Sequence, residues 1–192
     1  MNESKNRKMV LTICVAAMMA ALVAVGSKAE IQIPSILGTN RFHLGNVMCA
    51  LSGLLLGPWW GALASGLGSA IFDLFDPLRI AEAPITFVTK GVYGLVAGAV
   101  FFKVFHGKSN YVHETVASAL AAVSYIVLYL AKSFFYNGLL LKGLTPDAAW
   151  LAVLERIPNS AFNGIVAVIF APILGVALHK AMKAAHLELR PA

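Results

Sequence analysis

The chain of 192 residues is too apolar and too sparsely charged to be an ordinary soluble domain. Hydrophobic residues make up 59% of it and charged residues 12%, and the mean hydropathy is +0.77, whereas soluble domains are about half apolar and a quarter charged. Apolar stretches of about 20 residues recur along the chain, and a helix of that length crosses the roughly 30 Å hydrocarbon core of a bilayer. The composition predicts a helical membrane protein.

The net charge of +6 does not indicate a nucleic-acid-binding protein. The 15 Lys and Arg residues are dispersed at predicted helix ends and form no basic tract with interleaved aromatic residues. The two cysteines, Cys14 and Cys49, lie within apolar runs, which argues against a disulfide framework or a cysteine metal site. We therefore expect no nucleic-acid partner and no redox chemistry.

The apolar runs predict six transmembrane helices in a single membrane domain that covers residues 1–192. A cleavable signal peptide is the alternative for the first run, which is longer than the usual length of about 7–15 residues. The pair Gly57-Pro58 separates the second helix from the third, and a re-entrant hairpin is the alternative there. The predicted helices cover residues 9–27, 44–57, 58–73, 84–103, 113–138 and 159–181.

A short amphipathic helix is predicted between the fifth and sixth spans. The run Thr145-Pro146-Asp147 is typical of a helix start. Apolar side chains then fall on one helical face, formed by Trp150, Leu151, Leu154 and Ile157. We expect this segment to lie on the membrane surface, so that the fold class is an all-α integral membrane protein with six transmembrane helices and one surface helix.

The distribution of basic residues predicts the orientation in the membrane. Six helices place both termini on one side, and the segments on that side carry eight Lys and Arg against five on the other. Because loops rich in Lys and Arg remain in the cytoplasm, both termini are expected to be cytoplasmic. The longest loops then lie outside.

Small residues on the first predicted helix form two overlapping pairs at four-residue spacing. Ala16 is paired with Ala20, and Ala17 with Ala21. Such spacing lets the backbone of a neighbouring helix approach closely. The neighbour is either another subunit or, as the alternative, a second helix of this chain.

Two lysines interrupt the apolar runs and point to a functional site. A lysine in hydrocarbon is costly unless it reaches the interface, pairs or faces water. Lys132 lies near an outer helix end and has interfacial snorkelling as its alternative, whereas Lys90 lies about 9 Å below Pro84 at helical rise. On the fifth helix, aromatic and basic side chains share a single stripe, formed by Tyr125, Tyr129, Lys132 and Tyr136.

These side chains predict a pocket in the outer half of the membrane. Aromatic rings and ammonium groups would converge there beneath an outer loop that contains Arg41 and His43. Such a pocket suits a flat polar organic molecule with acceptor groups. An aromatic belt at the membrane interface is the alternative explanation of the tyrosine stripe.

Catalytic and metal-binding patterns are weak. The triplet Gly107-Lys108-Ser109 resembles a phosphate-binding loop, but Phe102 stands where its first glycine is required. The five histidines are scattered at helix ends without the spacing of a metal site. We expect a protein that is not an enzyme and that has no cofactor and no metal.

Several segments together resemble a known family. Residues 43–46 read HLGN, residues 57–63 GPWWGAL and residues 68–73 GSAIFD, and Pro84-Ile85-Thr86 is followed by Lys90-Gly91. This pattern is similar to that of the substrate-binding S components of energy-coupling factor (ECF) vitamin transporters, in the riboflavin-type branch. With the chain size, the six predicted helices and the alanine pairs, the resemblance covers most of the chain.

The resemblance implies a substrate-specific subunit of an ECF-type ABC importer in the plasma membrane of a prokaryote. Such a subunit binds a water-soluble vitamin or vitamin precursor at the outer face, and a transmembrane T component with two cytoplasmic ATPases drives uptake. The residues that would contact the T component are Ala16, Ala17, Ala20 and Ala21. A self-sufficient carrier or channel is the alternative, and an intramembrane enzyme is a further one.

The family also implies where the ligand binds. Its pocket is covered by the loop between the first two helices, here residues 28–43, and is lined by helices four to six. The expected substrate-binding residues are Arg41, His43, Thr86, Lys90, Tyr125, Tyr129, Lys132, Asn159 and Asn163. Cobalamin, a pyridoxine or pyrimidine precursor, riboflavin and pantothenate all remain open as ligands.

Overall fold

The computed structural model describes residues 2–35, 38–187 and 189, and long helices make up most of this part of the chain. The helices are α1 (Asn2–Lys28), α2 (Gly45–Leu74), α3 (Ala83–Ala99), α4 (Tyr111–Lys132) and α5 (Pro146–Ala184). A 3-10 turn, Ile80–Glu82, precedes α3, and π-helical segments, Val100–Val104 and Ser133–Leu141, continue α3 and α4.

Five helical segments of the described chain are long and apolar enough to cross a membrane. They are Asn6–Lys28, Gly45–Leu74, Ile80–Val104, Tyr111–Leu141 and Pro146–Ala184. The prediction of a helical protein with several membrane spans is confirmed. The structure differs from that prediction in the helix count, in the surface helix and in the first loop.

The helix count differs because the second and third predicted helices are joined in α2. Gly57, with φ 82° and ψ −178°, is non-helical and precedes Pro58. A Cβ atom on Gly61 would lie 2.6 Å from the Cα of Gly53, which a straight helix would hold about 12 Å apart along its axis. The chain therefore reverses at the predicted Gly57-Pro58 boundary, and the two halves of α2 pack against each other.

The predicted surface helix is not a separate element. The predicted start is present, since the Thr145 side chain accepts a hydrogen bond from the Ala148 N–H at 3.4 Å. The helix then continues through Pro158 to Ala184 as α5. Proline removes one backbone donor and favours a kink, but α5 continues past the predicted boundary at residue 159 without a break.

The segment between α1 and α2 contains two strands that the sequence analysis did not predict. Strand β1 (Glu30–Ser35) pairs antiparallel with β2 (Gly38–His43), so that Ile31 lies opposite Phe42. The all-α prediction is thus incomplete. Residues 36 and 37, which belong to the loop that is expected to cover the pocket as a lid, lie outside the described residues.

Close packing of small residues holds α1, α2 and α3 together. A Cβ on Gly98 would lie 2.6 Å from the Pro58 nitrogen, and one on Gly68 would lie 2.8 Å from the Val23 Cβ. Neither position therefore accepts a larger side chain without a shift of its neighbour. These contacts fix α1 and α3 against α2.

Candidate ligand-binding cavity

A cavity of about 290 Å³ lies next to the β-hairpin, between α2, α3, α4 and α5. All nine residues that were predicted to bind substrate line it: Arg41, His43, Thr86, Lys90, Tyr125, Tyr129, Lys132, Asn159 and Asn163. Of the predicted stripe, Tyr125, Tyr129 and Lys132 face the cavity, whereas Tyr136 does not line it and donates from its hydroxyl to the Ala81 carbonyl at 2.6 Å. Contact of these residues with a ligand stays a prediction.

Lys90 is the most deeply placed cation of the cavity. Its side chain is 6% exposed, and Nζ donates a hydrogen bond to Oδ1 of Asn46 and lies 4.2 Å from the ring centroid of Tyr125. Within the described chain, no carboxylate lies within ion-pairing distance of Lys90. An amide oxygen and an aromatic face stabilise the ammonium group, but neither neutralises it.

Aromatic rings form one wall of the cavity. The i, i+4 spacing on α4 stacks Tyr125 on Tyr129, with centroids 5.7 Å apart and an interplanar angle of 27°. Tyr93 of α3 packs against Tyr125 at 5.3 Å. Arg156 of α5 donates from Nη1 to the Tyr129 hydroxyl at 3.5 Å and to the Ser133 hydroxyl at 3.3 Å.

Lys132 is buried and ion-paired, so the snorkelling alternative is wrong. It is 8% exposed, and its Nζ lies 2.7 Å from Oε2 of Glu82 and 2.9 Å from the Thr86 hydroxyl. Glu82 also accepts a hydrogen bond from Asn137 at 3.0 Å. The lysine therefore ties α4 to the start of α3 at the cavity wall.

A second ion pair stands at the end of α2. Asp73 is fully buried, and its Oδ1 lies 2.9 Å from Nη2 of Arg79. Three residues later, Asp76 has a different role, because its Oδ1 accepts the backbone N–H of Leu78 at 3.1 Å and stabilises the turn.

Asn163 of α5 holds the backbone of β2. Its Nδ2 donates to the Arg41 carbonyl at 2.7 Å and to Oδ1 of Asn159 at 3.1 Å, and its Oδ1 accepts the His43 N–H at 3.0 Å. Next to this clamp, the rings of Phe42 and Phe162 meet edge to face at 5.1 Å. The hairpin is thereby seated on α5 beside the cavity.

The side chain of Arg41 fastens the other side of the hairpin. It pairs with Glu30 of β1 at 3.2 Å and with Asp76, after α2, at 3.3 Å. The same hairpin thus contacts both α5 and the segment that follows α2. Arg41 and His43 of this hairpin line the cavity.

His43 is the last residue of β2, and its surroundings favour the neutral form of its imidazole ring. Burial, followed by the positive charges of Lys90, Arg79 and Arg41, lowers the pKa of His43 well below its ordinary value of about 6.5. The neutral ring accepts the Gly45 N–H on Nδ1 at 3.1 Å, at the start of α2. Protonation of Nδ1 would remove this acceptor.

Further lining residues were missed by the sequence analysis. Asn46 belongs to the HLGN segment, but its burial against Lys90 is visible only in three dimensions. Arg156 lies in the segment predicted to form the surface helix, whereas the structure places it within α5, at the cavity. The remaining lining residues are Ser27, Ser69, Phe72, Asp73, Leu78, Arg79, Glu82, Thr89, Lys142 and Ser160.

The two alanine pairs of α1 face different surroundings. Ala16 is buried, and Ala20 packs with it against α2, where a Cβ on Gly68 would meet the Ala20 backbone. Ala17 and Ala21 are exposed. Of the four residues predicted to dock a partner, Ala16 and Ala20 are therefore engaged within the chain itself.

Comparison with known proteins defines the class to which this fold and cavity belong. Residues 7–180 match the family model described as "ECF-type riboflavin transporter, S component". The match covers well over half of the chain, so the chain belongs to this family of transporter S components.

A sequence relative and two solved structures accompany the family match. An uncharacterized protein of Pyrococcus woesei is 28% identical over 108 residues, which are 56% of this chain and 69% of the relative. The S component for biotin from an ECF-type ABC transporter has a TM-score of 0.60 and 18% identity, with 94% of each chain covered. FolT bound with folic acid has a TM-score of 0.58 and 20% identity, covering 86% of this chain and 94% of that one. These likenesses show a shared fold.

Proposed function

We propose that this chain is the substrate-specific subunit of an ECF-type importer and that it binds a water-soluble vitamin or vitamin precursor in the cavity beside the β-hairpin. The observation that carries the proposal is the convergence of nine polar and aromatic side chains from the hairpin, α3, α4 and α5 on one cavity. Membership of the S-component family supports the same conclusion.

The energetics of the cavity support a polar occupant. Buried charges and amides are costly in an apolar medium unless they meet partners. Lys90 donates one hydrogen bond to Asn46, and Lys132 pairs with Glu82, but these groups still line an open space instead of a packed interface. A ligand with acceptor groups and a flat ring matches this lining of donors and tyrosines.

The reversal of α2 supports six membrane crossings. With each half of α2 counted as one crossing, α1, α3, α4 and α5 complete six, and both termini lie on one side. The excess of Lys and Arg on that side favours a cytoplasmic location. The hairpin and cavity then face the outside of a prokaryotic plasma membrane, where an imported vitamin arrives.

The energy for transport would come from partner subunits. The sequence contains no complete phosphate-binding loop, since Phe102 replaces the required glycine. A transmembrane T component would dock on the exposed alanines of α1, Ala17 and Ala21, and two cytoplasmic ATPases would drive it. Small side chains at that spacing favour a close helix contact.

The cavity volume narrows the choice of vitamin. Pockets for small molecules usually have volumes of about 300–1,000 Å³, and this one, at about 290 Å³, is at the lower end. A pyridoxine or pyrimidine precursor, pantothenate or riboflavin is therefore favoured over cobalamin, whose corrin ring and nucleotide loop are much bulkier.

Uptake into proteoliposomes tests the proposal. The chain would be reconstituted alone, with the T component and ATPases, and with ATPases that carry a disabled nucleotide site, and each preparation would be given radiolabelled vitamins. We expect ligand binding in all three preparations and ATP-dependent accumulation only in the second. Concentrative ATP-driven uptake by the chain alone, or absence of binding in all three, would contradict the proposal.

A further inference from the structure

We infer that the ligand of this cavity is an organic anion, a flat ring that carries a carboxylate or phosphate group, held between Lys90 and Arg156. The inference rests on the proposed function of the cavity as the substrate site. It names the chemical class of the substrate, which the family match leaves open.

The charges that line the cavity are unbalanced. Six basic residues stand against two acidic ones: Arg41, Arg79, Lys90, Lys132, Lys142 and Arg156 against Asp73 and Glu82. Both acids are already engaged, Asp73 by Arg79 and Glu82 by Lys132. Arg41 pairs with Glu30 and Asp76, which lie outside the lining, and among the described residues neither Lys90 nor Arg156 has a carboxylate within ion-pairing distance.

Lys90 is the first uncompensated cation. Its nearest polar partner is the neutral amide oxygen of Asn46, and its other contact is the face of the Tyr125 ring. An ammonium group uses three donors in its full coordination, and it is buried where an anionic partner is attracted more strongly than in water. A carboxylate or phosphate oxygen would complete the coordination and neutralise the charge.

Arg156 is the second such cation. Both of its hydrogen bonds in the structure go from Nη1 to neutral hydroxyl groups, those of Tyr129 and Ser133. In the described chain, no carboxylate lies within ion-pairing distance of its guanidinium group. The planar guanidinium fork matches the geometry of carboxylate and phosphate groups.

The tyrosine wall lies between the two cations. Lys90 Nζ is 4.2 Å from the Tyr125 ring centroid, and the Arg156 Cζ is 5.9 Å from that of Tyr129. The two rings are close to parallel, with an interplanar angle of 27°. A flat heterocycle stacked along this wall would therefore place an anionic substituent near one cation or the other. A cationic or uncharged vitamin would leave both unpaired.

Matched pairs of ligands test the inference by calorimetric titration of the purified full chain in lipid nanodiscs. Each pair differs in one anionic group: nicotinate and nicotinamide, 4-pyridoxate and pyridoxine, and riboflavin 5′-phosphate and riboflavin. In the pair that binds, we expect the anion to bind about tenfold more tightly or better, as the loss of a charged hydrogen bond implies. Whether a carboxylate pair or the phosphate pair shows this preference identifies the anionic group that the cavity accepts.

Lys90→Met and Arg156→Met are each expected to weaken binding of the anion more than binding of the neutral member, and so to reduce the preference for the anion. Because Arg156 is only half-buried, Arg156→Met tests the inference even if Lys90→Met fails to fold. Lys108→Met, at an exposed position between α3 and α4, is the control and should retain the preference. Equal or tighter binding of the neutral member, or an unchanged preference in both variants, would overturn the inference and leave the proposed function standing. Absence of binding by every compound would overturn both.

Discussion

The side chain of Asn163 is hydrogen-bonded to the backbone carbonyl of Arg41 over 2.7 Å, across 122 positions of sequence. The same carboxamide accepts the N–H of His43 at 3.0 Å. One side chain of α5 thus satisfies a donor and an acceptor of β2, which a buried backbone requires. This relationship seats the hairpin beside the cavity, and we expect the hairpin to act as a lid over a bound ligand.

Replacement of Asn163 should loosen the lid. Asn163→Leu keeps the volume but leaves two backbone groups of β2 without partners, at a cost of about 1–3 kcal/mol each. We expect faster hydrogen–deuterium exchange at the His43 amide and about tenfold faster ligand dissociation. Asn110→Leu is the matched control, because Asn110 caps α4 far along the chain from the hairpin. Unchanged exchange and release in Asn163→Leu would show that the clamp does not hold the lid.

The two alanine pairs of α1 should respond differently to a bulky residue. Ala21→Trp adds volume on an exposed face and is expected to abolish co-purification with the T component while vitamin affinity is retained. Ala16→Trp adds the same volume in a buried contact with α2 and should lower the thermal midpoint of the isolated chain. Val127→Trp, at an exposed position of α4, is the control. Normal assembly of Ala21→Trp would refute the docking assignment.

The reversal of α2 should depend on glycine at position 57. Its φ of 82° with ψ near 180° is accessible essentially to glycine alone. Gly57→Ala is expected to destabilise the chain by about 1–3 kcal/mol, measured as a lower thermal midpoint in detergent. Gly91→Ala is the control, because a Cβ there would meet its nearest neighbour at an ordinary 3.5 Å. Equal midpoints for the two variants would contradict this explanation.

Acid should destabilise the hairpin through His43. The pKa of His43 is lowered by burial and by nearby positive charges, so below pH 6.5 the unfolded chain takes up a proton that the folded chain does not. Stability therefore falls as the pH drops below about 6.5, with a slope of up to about 1.4 kcal/mol per pH unit.

Thermal melting between about pH 7.5 and about pH 5.5, which is about one unit on either side of the ordinary histidine pKa, measures this effect. His43→Asn keeps an acceptor for the Gly45 N–H but does not titrate, so the melting temperature of this variant should depend less on pH. His106→Asn, at an exposed loop position, should behave as the unmodified chain does. A pH dependence that survives in His43→Asn would assign the effect to other groups.

The spans and the tyrosine wall were predictable because their signals are local. Apolar runs of membrane length give the spans, and the four-residue spacing of Tyr125 and Tyr129 places both rings on one helix face. Lys90 was conspicuous because a charge within an apolar run demands an explanation. Each of these observations uses only the neighbouring sequence.

The ion pairs and the lid were not predictable in the same way, because they join distant parts of the chain. Glu82 meets Lys132 across 50 positions, and the role of Asn163 depends on a hairpin that the sequence analysis described as a loop. Likewise, Ala16 and Ala17 point about 100° apart on a helix of 3.6 residues per turn. Only tertiary packing decides which of the two faces the rest of the chain.

Native mass spectrometry of the purified chain with a panel of water-soluble vitamins tests most directly whether the cavity beside the hairpin is the vitamin site. We predict that one vitamin binds in a one-to-one complex. Tyr129→Leu at the cavity wall should weaken this complex about tenfold, as loss of a stacked aromatic contact implies. Tyr111→Leu, at an exposed site, should leave the affinity unchanged. Binding that is equally strong in Tyr129→Leu, or no complex with any vitamin, would contradict the claim.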